Sequence, residues 1–452
     1  MRRENEKGRA NPMAMSAEER QQMLLTQPVE KIIPKMALPT ICSMLITSIY
    51  NMADTYFVSQ IGTAEATASG TSASAAVGIV FSVMAMIQAL AFMFGMGSGT
   101  NVSHLLGMGK RKEAEVYSAV GFFSAVAAGV LIAVLGNVFN EPLMRLLGAT
   151  ETAMPYALDY ARYIFLAAPF MMGSLSMNNL LRFQGLATYG MVGIISGGVL
   201  NMLLDPLLIF VFNMGIAGAD AITIHPRNYR PTKQMYAKIL NNGLPSLGRQ
   251  GIMSVSTSLL NNAAAVYGDP AIAAFAIVSR CLNFVNSTVV GFGQGFQPVC
   301  GFNYGARKYD RMHRAFSFSV KVTTIVLLVL GAAGFAFAEP VVTLFRRSDP
   351  EVIRIGTETF RIQILTVWAW GFITLSNMYT QAIGYGIRST ILAAARQGLF
   401  LIPTLLVLPN VWGLRGLEVC QPLADVLTLA LAVWMMTKVI RAQKAQMAQE
   451  TA

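Results

Sequence analysis

The chain alternates long apolar runs with short polar connections. Eleven runs are long enough to cross a bilayer, which takes about 20 largely apolar residues in one helix. These runs cover 36–58, 67–98, 116–138, 156–181, 187–212, 239–267, 271–300, 316–338, 359–386, 390–410 and 416–440. The pattern predicts an all-α polytopic membrane protein. The run at 239–267 contains Arg249, Gln250 and several serines, so we expect it to face protein or a water-filled cavity.

The two halves of the chain repeat one another. Pro39 is followed by Gly62, and Pro245 by Gly268, at the same distance of 23 residues. Further matches occur in the same order at offsets of 196 or 198 residues: Gly95–Gly99 with Gly291–Gly295, Gly109–Lys112 with Gly305–Lys308, Glu141–Pro142 with Glu339–Pro340, Asn179 with Asn377, and Gly215 and Gly218 with Gly413 and Gly416. This duplication predicts two helix bundles related by a pseudo-twofold axis, with a central site between them. We expect the glycine motifs to be close-packing or bending positions, because they lie at helix ends and not after strands.

One span of the first half is missing from this pattern. After Gly416 the second half continues as one more apolar helix, whereas after Gly218 the first half enters a basic segment that cannot cross a membrane as written. We therefore predict five helices in the first bundle and six in the second, with a span lost at the junction Ala219–Ala221. The predicted parts are a polar N-terminal tail (1–30), a first bundle (31–218), a basic linker (219–238), a second bundle (239–440) and a C-terminal tail (441–452).

Composition and charge support a membrane location. Apolar residues make up 54% of the chain, charged residues 13%, and the mean hydropathy is +0.51, which excludes a soluble globular protein. The net charge of +11 comes from basic residues in short loops, so we interpret it as the positive-inside bias and not as a nucleic-acid footprint. The cytoplasmic excess of basic residues is recovered only when a twelfth crossing is counted after Gly218. The expected partners are the lipid bilayer and small molecules, with no nucleic acid.

No sequence feature indicates an enzyme or a bound cofactor. The chain has no nucleophile elbow, zinc-protease helix or nucleotide-binding loop. Its four cysteines lie in or beside apolar runs, which indicates neither a disulfide framework nor a metal knuckle. They are Cys42, Cys281, Cys300 and Cys420.

A charged side chain inside a span is costly and therefore a candidate for function, and in the first half we reduce these candidates to two acids. Asp54 lies towards the outer end of the first span. Asp205 lies one turn after Asn201, on the same helix face, and directly before Pro206, which frees a backbone carbonyl. Carboxylate and amide oxygens together can hold Na⁺ or a shared proton. The alternative is that each acid caps or pairs with a neighbouring helix end.

Other polar residues in or beside the spans are candidates for a substrate cavity. They are Tyr50, Asn178, Gln184, Arg280, Gln294, Gln363, Asn377 and Gln381. Asn178 and Asn179 can equally hold helices together without a further role. The second half also carries Arg249, Arg396 and Asp425. Arg280 and Asp425 can pair with each other or with main-chain carbonyls, so we expect structural roles for both.

Two segments of the chain resemble the multidrug and toxic compound extrusion (MATE) transporters. Residues 50–62, which read YNMADTYFVSQIG, resemble the first helix of that family. Residues 291–298 (GFGQGFQP) and 303–310 (NYGARKYD) resemble its second-half signature. The likeness extends over nearly the whole chain, from Pro34 to Ile440.

The resemblance implies two six-helix bundles around a central cavity that opens alternately to either side. It implies export of amphiphilic, mostly cationic compounds in exchange for H⁺ or Na⁺, with no other cofactor. We expect a monomer in a bacterial inner or plasma membrane. The first-half acids are similar to those of the DNA-damage-inducible-type branch, whose cation site maps onto Asp54, Asn201, Asp205 and Asn179.

The chain departs from the family pattern in two places. The Na⁺-type branch carries a second-half acid where this chain has Asn261 and Asn262. The family's sixth helix, which lends a hydroxyl to the first-half site, is the missing span, so this chain can be an inactive, truncated transporter. A flippase for lipid-linked saccharides is a second alternative, which a broad cationic groove would favour. A purely structural membrane protein is a third, favoured if Asp54 and Asp205 are dispensable.

Overall fold

The computed structural model describes residues 16–64, 68–152, 154–204, 224–345 and 349–451. Within these ranges the chain forms α-helices joined by short turns. The helices are α1 (Ala17–Thr26), α2 (Val29–Ala64), α3 (Ala68–Gly107), α4 (Arg111–Val138), α5 (Asn140–Leu146), α6 (Met154–Phe183), α7 (Ala187–Leu204), α8 (Lys233–Ala265), α9 (Asp269–Gly305), α10 (Tyr309–Ala336), α11 (Ala338–Phe345), α12 (Pro350–Ile364), α13 (Val367–Ala382), α14 (Gly386–Ala394), α15 (Leu401–Trp412) and α16 (Leu414–Thr451).

Eight stretches of helix in the described part of the chain are long and apolar enough to cross a membrane. The described parts of the other three predicted runs are mostly helical too, but they differ from a plain span. The run 187–212 is described as α7 only as far as Leu204, and the run 239–267 belongs to α8, whose polar residues dilute it. The run 359–386 is interrupted at Leu365 and Thr366, where α12 ends and α13 begins. A further irregularity, a π-helical turn at Ala395–Leu399, joins α14 to α15.

The two halves correspond at one constant residue offset around the loops that follow α3 and α9. Helix α3 ends at Gly107 and α9 at Gly305, and the same spacing relates the start of α4 at Arg111 to the start of α10 at Tyr309. The shorter offset that paired Gly109 with Gly305 is therefore wrong. The structural counterpart of Gly109 is Arg307, because both have a positive φ, of 76° and 58°. Glycine identity misled the alignment, since an L-residue rarely adopts this conformation but does so here.

The two bundles meet where α2 packs on α9 and α3 packs on α8. At the end that carries the basic loops, which we take as the cytoplasmic end, a Cβ on Gly107 would collide with the carbonyl of Phe302. A Cβ on Gly305 would collide in the same way with the carbonyl of His104. The two contacts are pseudo-symmetric, because Gly305 is the counterpart of Gly107 and Phe302 that of His104. His104 Nε2 also lies 2.5 Å from the carbonyl oxygen of Ala382, so the bundles are closely packed at this end.

Both predicted tails contain helix. Within 1–30, α1 begins with a capping box between Ser16 and Glu19 and buries Leu24. The carbonyl of Leu24 accepts a hydrogen bond from Asn303 Nδ2 at 3.2 Å. Within 441–452, α16 continues and places Gln443 in the core, where its Oε1 accepts a hydrogen bond from Tyr379 at 2.6 Å. Apolar and amide side chains in these polar segments thus contribute to docking them on the bundles.

The predicted missing span lies outside the described residues, which resume at Ile224. This residue packs against Val102 and Leu180 at the cytoplasmic end of the first bundle. Helix α7 begins at the same end, at Ala187, and its 18 residues rise about 27 Å away from it. Ile224 thus lies near the cytoplasmic end, and the linker continues along α4, where the ring of Tyr229 packs edge-on against Phe123. Helix α8 begins within the predicted linker at Lys233.

Candidate functional site between the two bundles

Helix α3 separates the first-half interior from the second bundle, and its glycines allow close packing on both sides. A Cβ on Gly95 would lie 2.9 Å from the Cβ of Asn179 in α6. A Cβ on Gly97 would collide with the carbonyl of Ile239 in α8. Residues two apart on a helix point about 200° apart, which explains why the two glycines serve opposite neighbours. The prediction that these glycines are close-packing positions is confirmed.

The predicted acid site lies largely outside what the structure describes. Asp205 is outside the described residues, and so are the side chains of Asp54, Asn201 and Tyr50. The helices α2 and α7, which carry Asp54 and Asn201, pack against each other. The grouping of these side chains into one site stays a prediction.

Asn179, the fourth predicted member of that site, is fully buried in α6. Its Nδ2 donates to the carbonyl of Leu175 at 2.7 Å. Its Oδ1 accepts a hydrogen bond from Nη2 of Arg182, one turn further along the helix. Arg182 is itself only 4% exposed, and its Nε and Nη1 have no hydrogen-bond partner. A buried guanidinium therefore lies beside the predicted cation site.

Sequence reasoning missed Arg182. The predicted apolar run 156–181 stops one residue before Arg182. A cation just beyond a span usually extends to the cytoplasmic interface, so the pattern did not mark Arg182 as buried. The helix continues to Phe183 and buries the side chain instead. The available signal was the polar sequence Asn178-Asn179 one turn earlier, which marks a polar helix face reaching the end of the run.

Asn178 and Asn377 are the true structural counterparts in the two halves. Asn178 Nδ2 donates to the carbonyl of Gly190 at 2.8 Å, and Asn377 Nδ2 donates to the carbonyl of Ser389 at 2.6 Å. Each bond spans 12 residues and ties one helix to the next across a tight turn. The pairing of Asn179 with Asn377 is therefore wrong by one position. In this state both amide donors are used for structure.

Gln381 lies at the centre of a buried polar network in the second half. Its Nε2 donates to the carbonyl of Asn242 and to Ser246 Oγ, each at 2.9 Å. Its Oε1 accepts a hydrogen bond from Gln297 Nε2 at 3.0 Å. The network joins α8, α9 and α13. Gln294, Gln363 and Gln184, other predicted cavity residues, are also buried.

Arg280 and Asp425 do not pair with each other. Arg280 is exposed on α9, whereas Asp425 is fully buried and accepts a hydrogen bond from Arg396 Nε at 2.8 Å. The same carboxylate accepts further hydrogen bonds from Thr366, Trp370 and Gln421. The guanidinium carbon of Arg396 lies 3.8 Å from the centre of the Trp370 ring. The carboxylate is thus well satisfied, as expected for a structural ion pair.

No metal centre is visible in the part of the chain that the structure describes. Groups of three or more His, Cys, Asp or Glu placed to hold a metal ion are absent from those residues. The four cysteines are free. The polar features at the bundle interface are instead amides, hydroxyls and the guanidinium of Arg182.

Comparisons with known proteins extend over most of the chain. The MatE family model matches residues 39–207 and 245–406. The multidrug export protein MepA of Staphylococcus aureus is 25% identical over an alignment of 412 residues, and the match covers 86% of this chain and 89% of that protein. MepA of Staphylococcus haemolyticus is 25% identical over 427 residues, covering 89% and 92%. A solved outward-facing conformation of a multidrug resistance MATE family transporter of the MOP superfamily superposes with a TM-score of 0.84 at 24% identity, covering 94% of this chain and 98% of that one.

Proposed function

Because this chain belongs to the MatE family, whose model matches most of both halves, we propose that it is a cation-coupled antiporter that exports amphiphilic, mostly cationic compounds. It is a multi-pass membrane protein with the MATE fold, in a family of transporters and not of enzymes. The observation that carries the proposal is the match of both halves to one transporter family. Its similarity to MepA proteins, which are multidrug exporters by name, supports drug substrates.

Alternating access requires that the bundles close one end of the path while the other is open. In this structure the cytoplasmic ends of α3 and α9 are packed backbone to backbone through Gly107 and Gly305. Thr40 and Gly291 connect α2 to α9 by a hydrogen bond. These contacts support a state closed to the cytoplasm. Export then needs them to separate so that a substrate can enter from the cell interior.

The coupling ion is proposed to bind Asp54, Asn201, Asp205 and Asn179, as in the DNA-damage-inducible-type branch. The packing of α2 on α7 supports this grouping. In this state the Oδ1 of Asn179 accepts a hydrogen bond from Arg182, so ion binding through Asn179 requires that bond to open. Either H⁺ or Na⁺ fits oxygen ligands of this kind. Asn261 and Asn262 of α8 leave no acid for a second-half site of the Na⁺-type branch.

Resistance of drug-sensitive cells tests the role of the acids. Asp54→Asn should abolish resistance to an exported cationic dye while the protein stays in the membrane at normal abundance. Asp159→Asn, which neutralises an exposed carboxylate on α6, is the matched control and should leave resistance unchanged. Full resistance with both Asp54 and Asp205 neutralised would rule out the proposed site.

We also propose that this chain has lost the sixth helix of its first bundle. The ends of the described segments support this, because α7 leads away from the cytoplasmic end and Ile224 lies at that end. Single cysteines at Gly218 and Lys238, in a background without the native cysteines, should react with impermeant reagents from opposite sides. Labelling of both from the same side would mean that the second half is inverted. A continuous sixth helix of normal length between Gly215 and Lys238 would contradict the lost span. If the chain itself does not transport, inserting the corresponding MepA helix after Gly218 should restore export.

A further inference from the structure

Arg182 is a buried charge with unused hydrogen-bonding capacity. Of its nitrogen atoms only Nη2 has a partner, the side chain of Asn179, while Nε and Nη1 have none. No carboxylate among the described residues forms an ion pair with it. Removing a guanidinium from water without a counter-charge costs several kcal/mol, so a fold that keeps one here calls for a compensating group.

The pseudo-symmetric counterpart of Arg182 shows how such a position is satisfied without a ligand. In the register that pairs Asn178 with Asn377, Arg182 corresponds to Gln381. Gln381 is neutral, and both its amide nitrogen and its amide oxygen are bonded to protein. The second half therefore fills this position with a closed polar network. The first half places a cation there with two unused donor atoms.

A second cation from the other bundle faces the same region. Asn242, Ser246 and Arg249 lie on one face of α8, since they are spaced four and three residues apart. Ser246 Oγ lies 3.0 Å from Met96 Sδ of α3, so this face points towards the first bundle. Arg249 is half-buried and interacts electrostatically with Arg182. Two like charges repel each other, and an anion between them would remove that repulsion.

Arg182 lies near the cytoplasmic end of the first bundle. It is in the last turn of α6, which ends at Phe183, and α7 begins at the same end at Ala187. The Asn179 side chain that holds Arg182 lies one turn further from that end, against Gly95 of α3. Transporters of duplicated architecture bind their substrates between the two halves.

We infer that Arg182 and Arg249 form a binding site for an anionic group, such as a carboxylate, sulfonate or phosphate, between the two bundles. A guanidinium binds such oxyanions through parallel charge-assisted hydrogen bonds, for which Nε and Nη1 of Arg182 are the free donors. The site extends the ligands of this chain from cations to anionic or zwitterionic amphiphiles. The anion can belong to a soluble compound or to a lipid headgroup.

The test measures binding to the full chain in nanodiscs of phosphatidylcholine, which carry no net charge. The probes are 1-naphthoate and its neutral analogue 1-naphthamide, measured by equilibrium dialysis at constant ionic strength. The wild-type chain should bind the naphthoate about tenfold more tightly than the amide. Arg182→Gln, which copies Gln381, should remove the preference, and Arg182→Lys should retain part of it. Arg249→Gln should weaken it independently.

Arg354→Gln is the control, because Arg354 is an exposed arginine on α12. It should leave the preference unchanged, and thermal unfolding checks that every variant is folded. Equal binding of both probes by the wild-type chain, or an anion preference that survives Arg182→Gln, would overturn the site. Repeating the measurement with one third phosphatidylglycerol identifies the source of the anion. Competition by this lipid assigns the site to a headgroup, and its absence assigns the site to a soluble anion.

This site does not depend on the proposed export function, because binding is measured without transport. Loss of the naphthoate preference in an active exporter of cationic dyes would count against the anion site alone. Retained binding in a chain that exports no dye would count against the proposed function alone.

Discussion

Thr40 in α2 donates a hydrogen bond to the carbonyl of Gly291 in α9, with 2.6 Å between Oγ1 and O. The same hydroxyl lies 2.8 Å from the carbonyl of Ala37 in its own helix, so it serves both helices. The donor is in the first bundle and the acceptor in the second. The bond therefore exists only while the two bundles are packed at this level.

Replacing this hydroxyl should loosen the contact between the two bundles at this level. Thr40→Val keeps the shape of the side chain but leaves the Gly291 carbonyl without this donor, which should cost about 1 kcal/mol. Hydrogen–deuterium exchange should become faster in α2 and α9 around Thr40 and Gly291. Thr437→Val, which removes an exposed hydroxyl bonded within its own helix, is the control and should not change exchange there. Equal exchange in the two variants would show that the Thr40 bond does not hold the bundles together.

The glycine contacts predict opposite effects for one substitution at two positions. Gly305→Ala adds a Cβ against the carbonyl of His104 and should destabilise the closed state by about 1–3 kcal/mol. Gly193→Ala adds one where no described atom outside its own helical turn lies within 4 Å, and should be neutral or stabilising because alanine favours helix. Thermal unfolding in detergent checks both. A Gly305→Ala variant as stable as the wild type would mean that the helices do not approach so closely.

The Arg396–Asp425 pair should be the most sensitive ion pair among those described. Asp425→Asn leaves the half-buried guanidinium of Arg396 without its counter-charge, which should cost about 3 kcal/mol of stability. Glu141→Gln breaks an exposed pair with Arg145 and is the matched control, with little change in unfolding temperature. A double variant, Asp425→Asn with Arg396→Gln, should recover part of the loss. No recovery would show that the carboxylate acts through Trp370 and Thr366 alone.

Helix α1 should depend on two cations of the second bundle. Lys308 Nζ donates to the carbonyl of Leu25 at 3.1 Å, and Arg311 donates to the carbonyls of Leu24 and Gln27 at the end of the helix. Cations near a helix C-terminus stabilise its free carbonyls. Arg311→Ala should therefore speed hydrogen–deuterium exchange in residues 17–26. Unchanged exchange there would show that the burial of Leu24 alone docks the helix.

Hydropathy alone predicted the positions of most helices, because a membrane segment must be long, apolar and internally hydrogen-bonded. It could not predict the break at Leu365 and Thr366. That break lies beside Asp425, and the acid that Thr366 bonds is 59 residues away in sequence. Long-range polar contacts of this kind leave no local pattern.

The repeat was visible in the sequence, but its register was not. Matching glycines suggested that Gly109 and Gly305 correspond, whereas the left-handed position of the second half is filled by Arg307. In the same way, Asn178 and Asn179 are adjacent in α6, and from the sequence either could correspond to Asn377. The hydrogen bond from Asn178 to Gly190 identifies Asn178 as the counterpart. Backbone conformation and bonding, which one sequence does not show, fix these equivalences.

Reverse antiport in proteoliposomes tests cation-coupled exchange most directly. With the purified chain reconstituted, an imposed gradient of a cationic dye should drive H⁺ or Na⁺ uphill in the opposite direction, read with a pH-sensitive or Na⁺-sensitive fluorophore inside. Asp54→Asn should abolish this flux, and Asp159→Asn should leave it intact. Dye movement that drives neither ion in the wild-type chain, or ion flux that persists in Asp54→Asn, would contradict the account.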